Sequence, residues 1–285
     1  MSVSPEGGSG EASGSGRAKR IVWLAGLCSA ILIAVGGAWF TGLFGVVADS
    51  GEAADVVQDT LGRPALRVSV VQQRGQLTAT ALRERPKGAD KSVLLGGETA
   101  QGQLLDLVRR RQGAAVGKAV VRVELTGGRK SVRVVGARPV VKKVGAPLTA
   151  ALLACETAGE ENTVEMVARL DPVSPAFLGK PPSKRPYFES RTISLKRDEQ
   201  VTLDMTVMPG RGVYDFTIMI DYQYDGRTET QEVFDADGRP FRVTSAVAPG
   251  RYGVVYQPTT TAESYHALRK TEVEAYFRNR GVRGC

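Results

Sequence analysis

Apolar and polar positions change rhythm along this chain, and the changes divide it. From Ile21 to Val47 no side chain is charged. As a helix, that run of about 27 residues would reach roughly 40 Å, against about 30 Å of bilayer hydrocarbon. Trp23 and Trp39 flank its most apolar part, and indoles favour the headgroup level, so a transmembrane helix is predicted over 21–44. Val46, Val47 and Ala48 have the small-residue form of a cleavage site, but the apolar run before them is too long for a secretory signal. Cys28 does not read as a lipoprotein cysteine, because Leu27 precedes it and the apolar run follows it.

After a small, polar linker at 45–65, the period becomes two. LRVSVVQ and QLTATAL read as an opening hairpin around Arg74 and Gly75. QLLDLVRRRQ has Leu104, Leu107 and Val108 at helical spacing and predicts a short helix. KAVVRVELTGGRKSVRVVGARPVVKKV alternates valine with charge on both sides of Gly127 and Gly128, the pattern of a second hairpin. LTAALLAC and NTVEMVARLD follow as strands joined by a polar loop. DPVSPAFLGKPPSKRP has too few amide donors for a regular ladder and predicts an irregular excursion. Beyond it, Phe216, Ile218 and Ile220 alternate with Asp215, Thr217, Met219 and Asp221, which predicts a central strand. Asp225-Gly226 and Asp237-Gly238 mark hairpin turns, and RYGVVYQ is a last strand. TTAESYHALRKTEVEAYFRNRG reads as a helix capped near Thr260 or Thr261 and ended by Gly281. The predicted fold class is mainly β: an antiparallel Ig-like β-sandwich over 66–257, with one N-terminal transmembrane helix and a C-terminal helix and tail over 258–285.

Charge orients the predicted span. Arg17, Lys19 and Arg20 precede it, and no basic residue follows until Arg63, so residues 1–20 are expected in the cytoplasm as a Gly- and Ser-rich disordered tail. The bulk of the chain is then extracytoplasmic, at the cell membrane. Of the formal charge of +8, residues after the tail carry +7. That excess would attract anionic wall polymers or lipid headgroups, or it is simply solvated over a long surface. No Lys/Arg block is interleaved with aromatics, so nucleic acid is not an expected partner. Cys155 and Cys285 are two thiols expected in an oxidising compartment. Either they form a disulfide, or Cys155 is a small buried residue and Cys285 a frayed end.

The segments from VRVELTGGRKSVRVVGARPVV through RTISLKRDEQVTLDMTV to DADGRPFRVTSA resemble an uncharacterised group of actinobacterial single-pass membrane proteins with an exported β domain. The resemblance covers about half the chain and implies the fold and the topology. It rests on strand and turn signals, and the group has no assigned activity to carry over.

Chemistry-bearing residues are sparse. His266 is the only histidine and falls on the predicted terminal helix, with Glu263 and Lys270 near it. An orienting carboxylate and a nucleophile are both needed to make such a histidine catalytic. Asp235, Asp237 and Gly238 resemble a fragment of a calcium loop, but RPFRVT after them supplies no further oxygen ligands. The carboxylate pairs Glu160-Glu161 and Asp198-Glu199 fall in predicted loops or turns. No cofactor or metal is expected. Tyr222 with Tyr224, and Tyr252 with Tyr256, each share one side of a predicted strand, as an aromatic platform or as cross-strand packing. Gly26, Ala30, Ala34, Ala38 and Gly42 form a small-residue stripe through which two transmembrane helices could pair as a homodimer. The expected role is a non-enzymatic, membrane-anchored binding or scaffolding module with an unknown protein or cell-wall partner. The alternatives are a hydrolase of cell-envelope polymer using carboxylates, or a purely structural spacer.

Overall fold

Strands form wherever β-branched and aromatic residues alternate, and they dominate the computed structural model. It describes residues 64–71, 79–96, 101–154, 164–179, 185–259 and 264–280. The predicted tail, transmembrane helix and most of the linker fall outside these, as do the stripe Gly26, Ala30, Ala34, Ala38 and Gly42 and both Cys155 and Cys285. Among the described residues, no helix is long and apolar enough to cross a membrane.

In chain order the first elements are β1 (Leu66–Val70), β2 (Thr80–Leu82), helices α1 (Ala89–Leu95) and α2 (Gln101–Arg110), and β3 (Ala114–Val116). Next come β4 (Ala119–Gly127), β5 (Val132–Gly145), β6 (Ala151–Leu153), β7 (Val164–Arg169), β8 (Leu178–Gly179) and the short helix α3 (Tyr187–Ser190). The chain continues through β9 (Ile193–Leu195), β10 (Gln200–Met208), β11 (Val213–Tyr224), β12 (Arg227–Val233) and β13 (Phe241–Thr244). It closes with β14 (Val255–Pro258), β15 (Tyr265–Ala267) and α4 (Lys270–Arg280).

These strands make two sheets. The smaller runs β1-β4-β10-β7-β8, and the larger runs β15-β14-β6-β2-β3-β13-β11-β5-β9, with β12 also paired to β11. The protein is mainly β, as predicted, but both sheets are mixed: β7 runs parallel to β10, β3 to β13 and β6 to β14. The expectation of purely antiparallel pairing assumed that successive strands pair, whereas this chain crosses between sheets after β1, β3, β4, β6, β8, β9 and β10. Parallel partners need such long crossovers.

Two predicted hairpins are corrected for the same reason. β1 pairs with β4 in the smaller sheet, while β2 pairs with β3 and β6 in the larger. Likewise β4 and β5 lie in different sheets, so Gly127 and Gly128 form a corner between them. A Cβ on Gly127 would lie 2.2 Å from the Lys196 carbonyl oxygen, and one on Gly128 would lie 2.1 Å from that of Pro64. Glycine is needed there for close approach of backbones, with Gly128 N–H donating to Ala65 O and Gly127 N–H to Glu199 O.

The Asp225-Gly226 turn is as predicted: both residues have positive φ, 47° and 71°, and it joins β11 to β12 with Tyr224 opposite Arg227. Asp237-Gly238 instead tips an outward loop, because β12 and β13 both pair with the same side of β11, one after the other. Asp235 Oδ1 closes that loop by accepting from the N–H groups of Asp237 and Arg239.

The main core draws on both sheets. Leu66, Val123, Leu125, Met166, Leu203 and Met205 from the smaller one meet Val132, Val134, Phe216, Ile218 and Ile220 from the larger. The central-strand expectation for β11 holds: β5 flanks it on one side, β12 and β13 on the other. Toward β15 the larger sheet is covered by helices. Leu94, Leu104 and Leu107 of α1 and α2 pack with Leu82, Leu153, Tyr256 and Tyr265, while Val273 and Phe277 of α4 pack with Ala81, Leu152 and Val255.

The terminal helix begins later than predicted. Tyr265 pairs with Pro258 in the ladder, so His266 is an exposed strand residue opposite Gln257. At the start of α4, Glu272 Oε2 accepts from the Arg269 N–H, half of a capping box.

Candidate functional site: a basic cleft beside the central strand

The end of β5, the start of β11 and the connection 145–150 enclose a cleft of about 300 Å³. Its position follows from the pairing. Gly145 and Val144 sit opposite Val213 and Tyr214, after which Ala146-Pro147 turns the chain away toward β6. Leu148 plugs the core beside Val213, and its N–H donates to Thr244 Oγ1, a hydroxyl with no solvent exposure. Thr149 O accepts from the Gly253 N–H, which ties the connection to the approach of β14. These bonds hold the wall of the cleft in one conformation.

Arg83, directly after β2, and Lys143 near the end of β5 stand on the rim and are exposed. Neither side chain has a hydrogen bond or an ion pair among the described residues, although the Arg83 backbone N–H donates to the Arg111 carbonyl at 3.1 Å. Arg85 lies close by: its guanidinium and the Ala150 carbonyl both fall within 3 Å of the place a Cβ on Gly253 would take, at 2.4 and 2.8 Å. The single carboxylate in the lining, Asp215, is held by Arg242, whose NH2 donates to Oδ2 at 2.9 Å. That pair is neutral in sum. Asp215 is also the cross-strand neighbour of Lys143, so the lining carries two cations and one carboxylate that Arg242 already engages.

Along the β11 face, on the smaller sheet and at the end of α2, carboxylates are engaged by cations. Across the outer face of β11, Asp221 meets Arg138 and accepts from the Thr230 hydroxyl. Glu232 meets Lys142 at 2.6 Å and accepts from Thr217. Arg122 and Asp204 form a two-pronged pair of 2.7 and 2.8 Å on the smaller sheet, both largely buried. The Arg109-Arg110-Arg111 run ending α2 is equally consumed. Arg110 and Arg111 both donate to buried Asp90, while Arg109 reaches Asp106 and Asp237. The Arg110 guanidinium, against the opposing effect of burial, holds the Asp90 carboxyl below its usual range, with Arg111 adding to it.

An open polar groove of about 550 Å³ lies between α2 and the loop at Asp237. It contains two carboxylates, Asp106 and Asp237, and Arg109 bonds to both.

Of the two expected tyrosine pairs, Tyr222 with Tyr224 is brought together and Tyr252 with Tyr256 is not. Tyr222 and Tyr224 are stacked, with ring centroids 6.1 Å apart, but their hydroxyls both donate to Glu229, at 2.9 and 2.7 Å, and Tyr222 is buried in the main core. Tyr224, then Tyr222, hold the Glu229 carboxyl below its usual range. Tyr252 lies in a bend ahead of β14 and Tyr256 within it; each is buried, in different clusters, so they share no strand face. Burial pushes both phenols up. Asp198 pairs with Arg67, Glu199 accepts from the Lys196 N–H, and Glu160 and Glu161 lie outside the described residues. Among the described residues, no cluster of three or more His, Cys, Asp or Glu side chains could hold a metal ion.

The sequence contained no motif for the cleft. Arg83 follows β2 and Lys143 lies in β5, and only the register of β5 with β11 and the pairing of β2 with β6 bring them to one cleft. Compared with protein-family models and with curated proteins, the chain finds no match.

Proposed function

We propose that this chain is a membrane-anchored extracytoplasmic binding or scaffolding module, with an Ig-like β-sandwich tethered by the helix at 21–44. The sharing of one core by two sheets, around a central β11, supports the sandwich part of that reading. The uncharged run from Ile21 to Val47 and the basic residues before it support the tether.

The observation that carries the binding role is the distribution of charge. Carboxylates along the β11 face and at the end of α2 are engaged by Arg, Lys, Thr or Tyr, while the side chains of Arg83 and Lys143 at the cleft make no ion pair among the described residues. Engaged acids and free cations suit recognition of an anion more than hydrolysis. The partner then presents negative charge, as a wall-associated polymer or an acidic protein surface does.

The test is capture from solubilised membranes with the full chain as bait, beside a bait carrying Arg83→Glu and Lys143→Glu. A reproducible partner on the native bait, lost from the charge-reversed one, is the expected result. No reproducible partner on either bait overturns the module reading in favour of a spacer.

A further inference from the structure

We infer that the cleft beside β11 is a phosphate-binding site, taking one phosphate group of a chain-like polyanion in the extracytoplasmic space. This deepens the binding role proposed above and rests on it and on the extracytoplasmic location proposed with it. The cleft volume of about 300 Å³ is at the small end of ligand sites, enough for one anionic group and its linkers but not for a folded surface. Its cations are of two kinds. Arg83 offers a planar fork suited to two phosphate oxygens, and Lys143, also on the lining, is a compact point charge.

The walls favour this class of ligand. Thr149 also lines the cleft and carries a hydroxyl. The Asp215 carboxylate, which would repel an anion, is neutralised by Arg242, and that guanidinium is fixed further by donating to the Gln112 carbonyl at 3.3 Å. Leu148 and Val213 form a dry floor, both buried at 5% and 4% exposure. Low dielectric below the cations strengthens their field in the cleft. The site is concave, so a thin polymer strand can enter where the plane of a lipid bilayer cannot. That geometry favours a polymer over a membrane surface.

The probe is inorganic polyphosphate, titrated calorimetrically into the purified full chain at two salt concentrations. The paired variant Arg83→Ala/Lys143→Ala is expected to lose about tenfold or more in affinity, the effect of removing one or two charge-assisted contacts. A charge-matched control, Arg133→Ala/Lys196→Ala, removes two exposed cations from elsewhere. Arg133 lies ten residues from Lys143 at the other end of β5, about 30 Å away at ~3.3 Å per residue. This control is expected to change affinity less than about twofold, through the general field alone. Both pairs are exposed, so their thermal midpoints should stay within about 4 °C of the native chain, which shows that folding is intact.

Equal losses in the two variants would mean diffuse attraction to a basic surface and would overturn the site. So would absence of polyphosphate binding by the native chain. Vesicles containing phosphatidylglycerol form the second arm: binding to them that depends on Arg83 and Lys143, without binding to polyphosphate, assigns the cleft to a lipid headgroup and defeats the polymer assignment. A chain that captures a partner from membranes but ignores polyphosphate keeps the module reading and loses this one. Polyphosphate binding without a captured protein has the opposite meaning.

Discussion

The two halves of the larger sheet are built on different terms. Around β11, long strands carry one face into a core shared with the smaller sheet and leave the other to a ladder of ion pairs: Asp221 with Arg138, Glu232 with Lys142, Asp215 with Arg242. Toward β15, strands of three or four residues are covered on both faces, by α1 and α2 on one side and α4 on the other. A one-sided strand announces itself by alternation, whereas a two-sided one reads as a plain apolar run. The cleft lies where the two regimes meet, at the place where the chain turns from β5 into β6.

Removing a large side chain from each half should give the largest effects. Phe216 has no solvent exposure and sits 5.5 Å, ring to ring, from Phe241. Phe216→Ala should cost about 4 kcal/mol in stability, by transfer free energy plus the cavity left behind. Leu107, equally buried under the helices, should cost about 3 kcal/mol as Leu107→Ala. Urea unfolding followed by circular dichroism measures both. Because one sheet runs through both halves, hydrogen exchange in either variant should show β11 and β6 losing protection together. Loss confined to the helix-covered strands in Leu107→Ala would break the comparison and make that half a separate unfolding unit.

The same contrast decides how much was legible beforehand. β4, β5, β10 and β11 were readable because apolar and polar residues largely alternate along them, and the Asp225-Gly226 turn because its chemistry is local. The pairing of strands was not readable, since it depends on crossovers between sheets that leave no periodic trace. Helix α1 was missed altogether: ADKSVLL is only seven residues, opens after Gly88 without a side-chain cap, and buries only Asp90 and Leu94. His266 was assigned to a helix because Thr and Ser residues before it resemble caps, yet Tyr265 is buried in the cluster with Tyr256 and pulls that segment into a strand. The cleft was invisible for a related reason. Its cations are ordinary surface residues until the register of two distant pairings sets them on one rim.

The Gly127-Gly128 corner sharpens the point at intermediate cost. Read as a hairpin turn, Gly127 would tolerate alanine with a modest penalty. As a sheet-to-sheet corner with the Lys196 carbonyl oxygen 2.2 Å from the added Cβ, Gly127→Ala must push two backbones apart. About 2 kcal/mol of destabilisation is expected, in the range for overpacked sites, and urea unfolding measures it. A change within about 0.5 kcal/mol, typical of surface substitutions, would return this corner to the status of a turn.

The smallest expected effect compares two phenols, one in each half. Tyr222, in the shared core, is pushed up to about 12 by burial first and then by its bond to Glu229. Tyr265, beneath the helices, also rises to about 12, from burial first and then from Tyr276. Both folded values exceed the ordinary 10.0, so each phenol contributes stability that is fully present below pH 10 and lost as pH rises toward 12. In an alkaline titration followed by tyrosinate absorbance, Tyr222→Phe and Tyr265→Phe should each remove one late-ionising group. Glu229→Gln separates their causes. It removes the negative charge facing Tyr222, whose ionisation should move down while burial keeps it above the ordinary value; Tyr265 should not move. A shift of both phenols in Glu229→Gln would mean that the variant loosens the whole sheet, and that its two halves do not hold their polar groups by separate means.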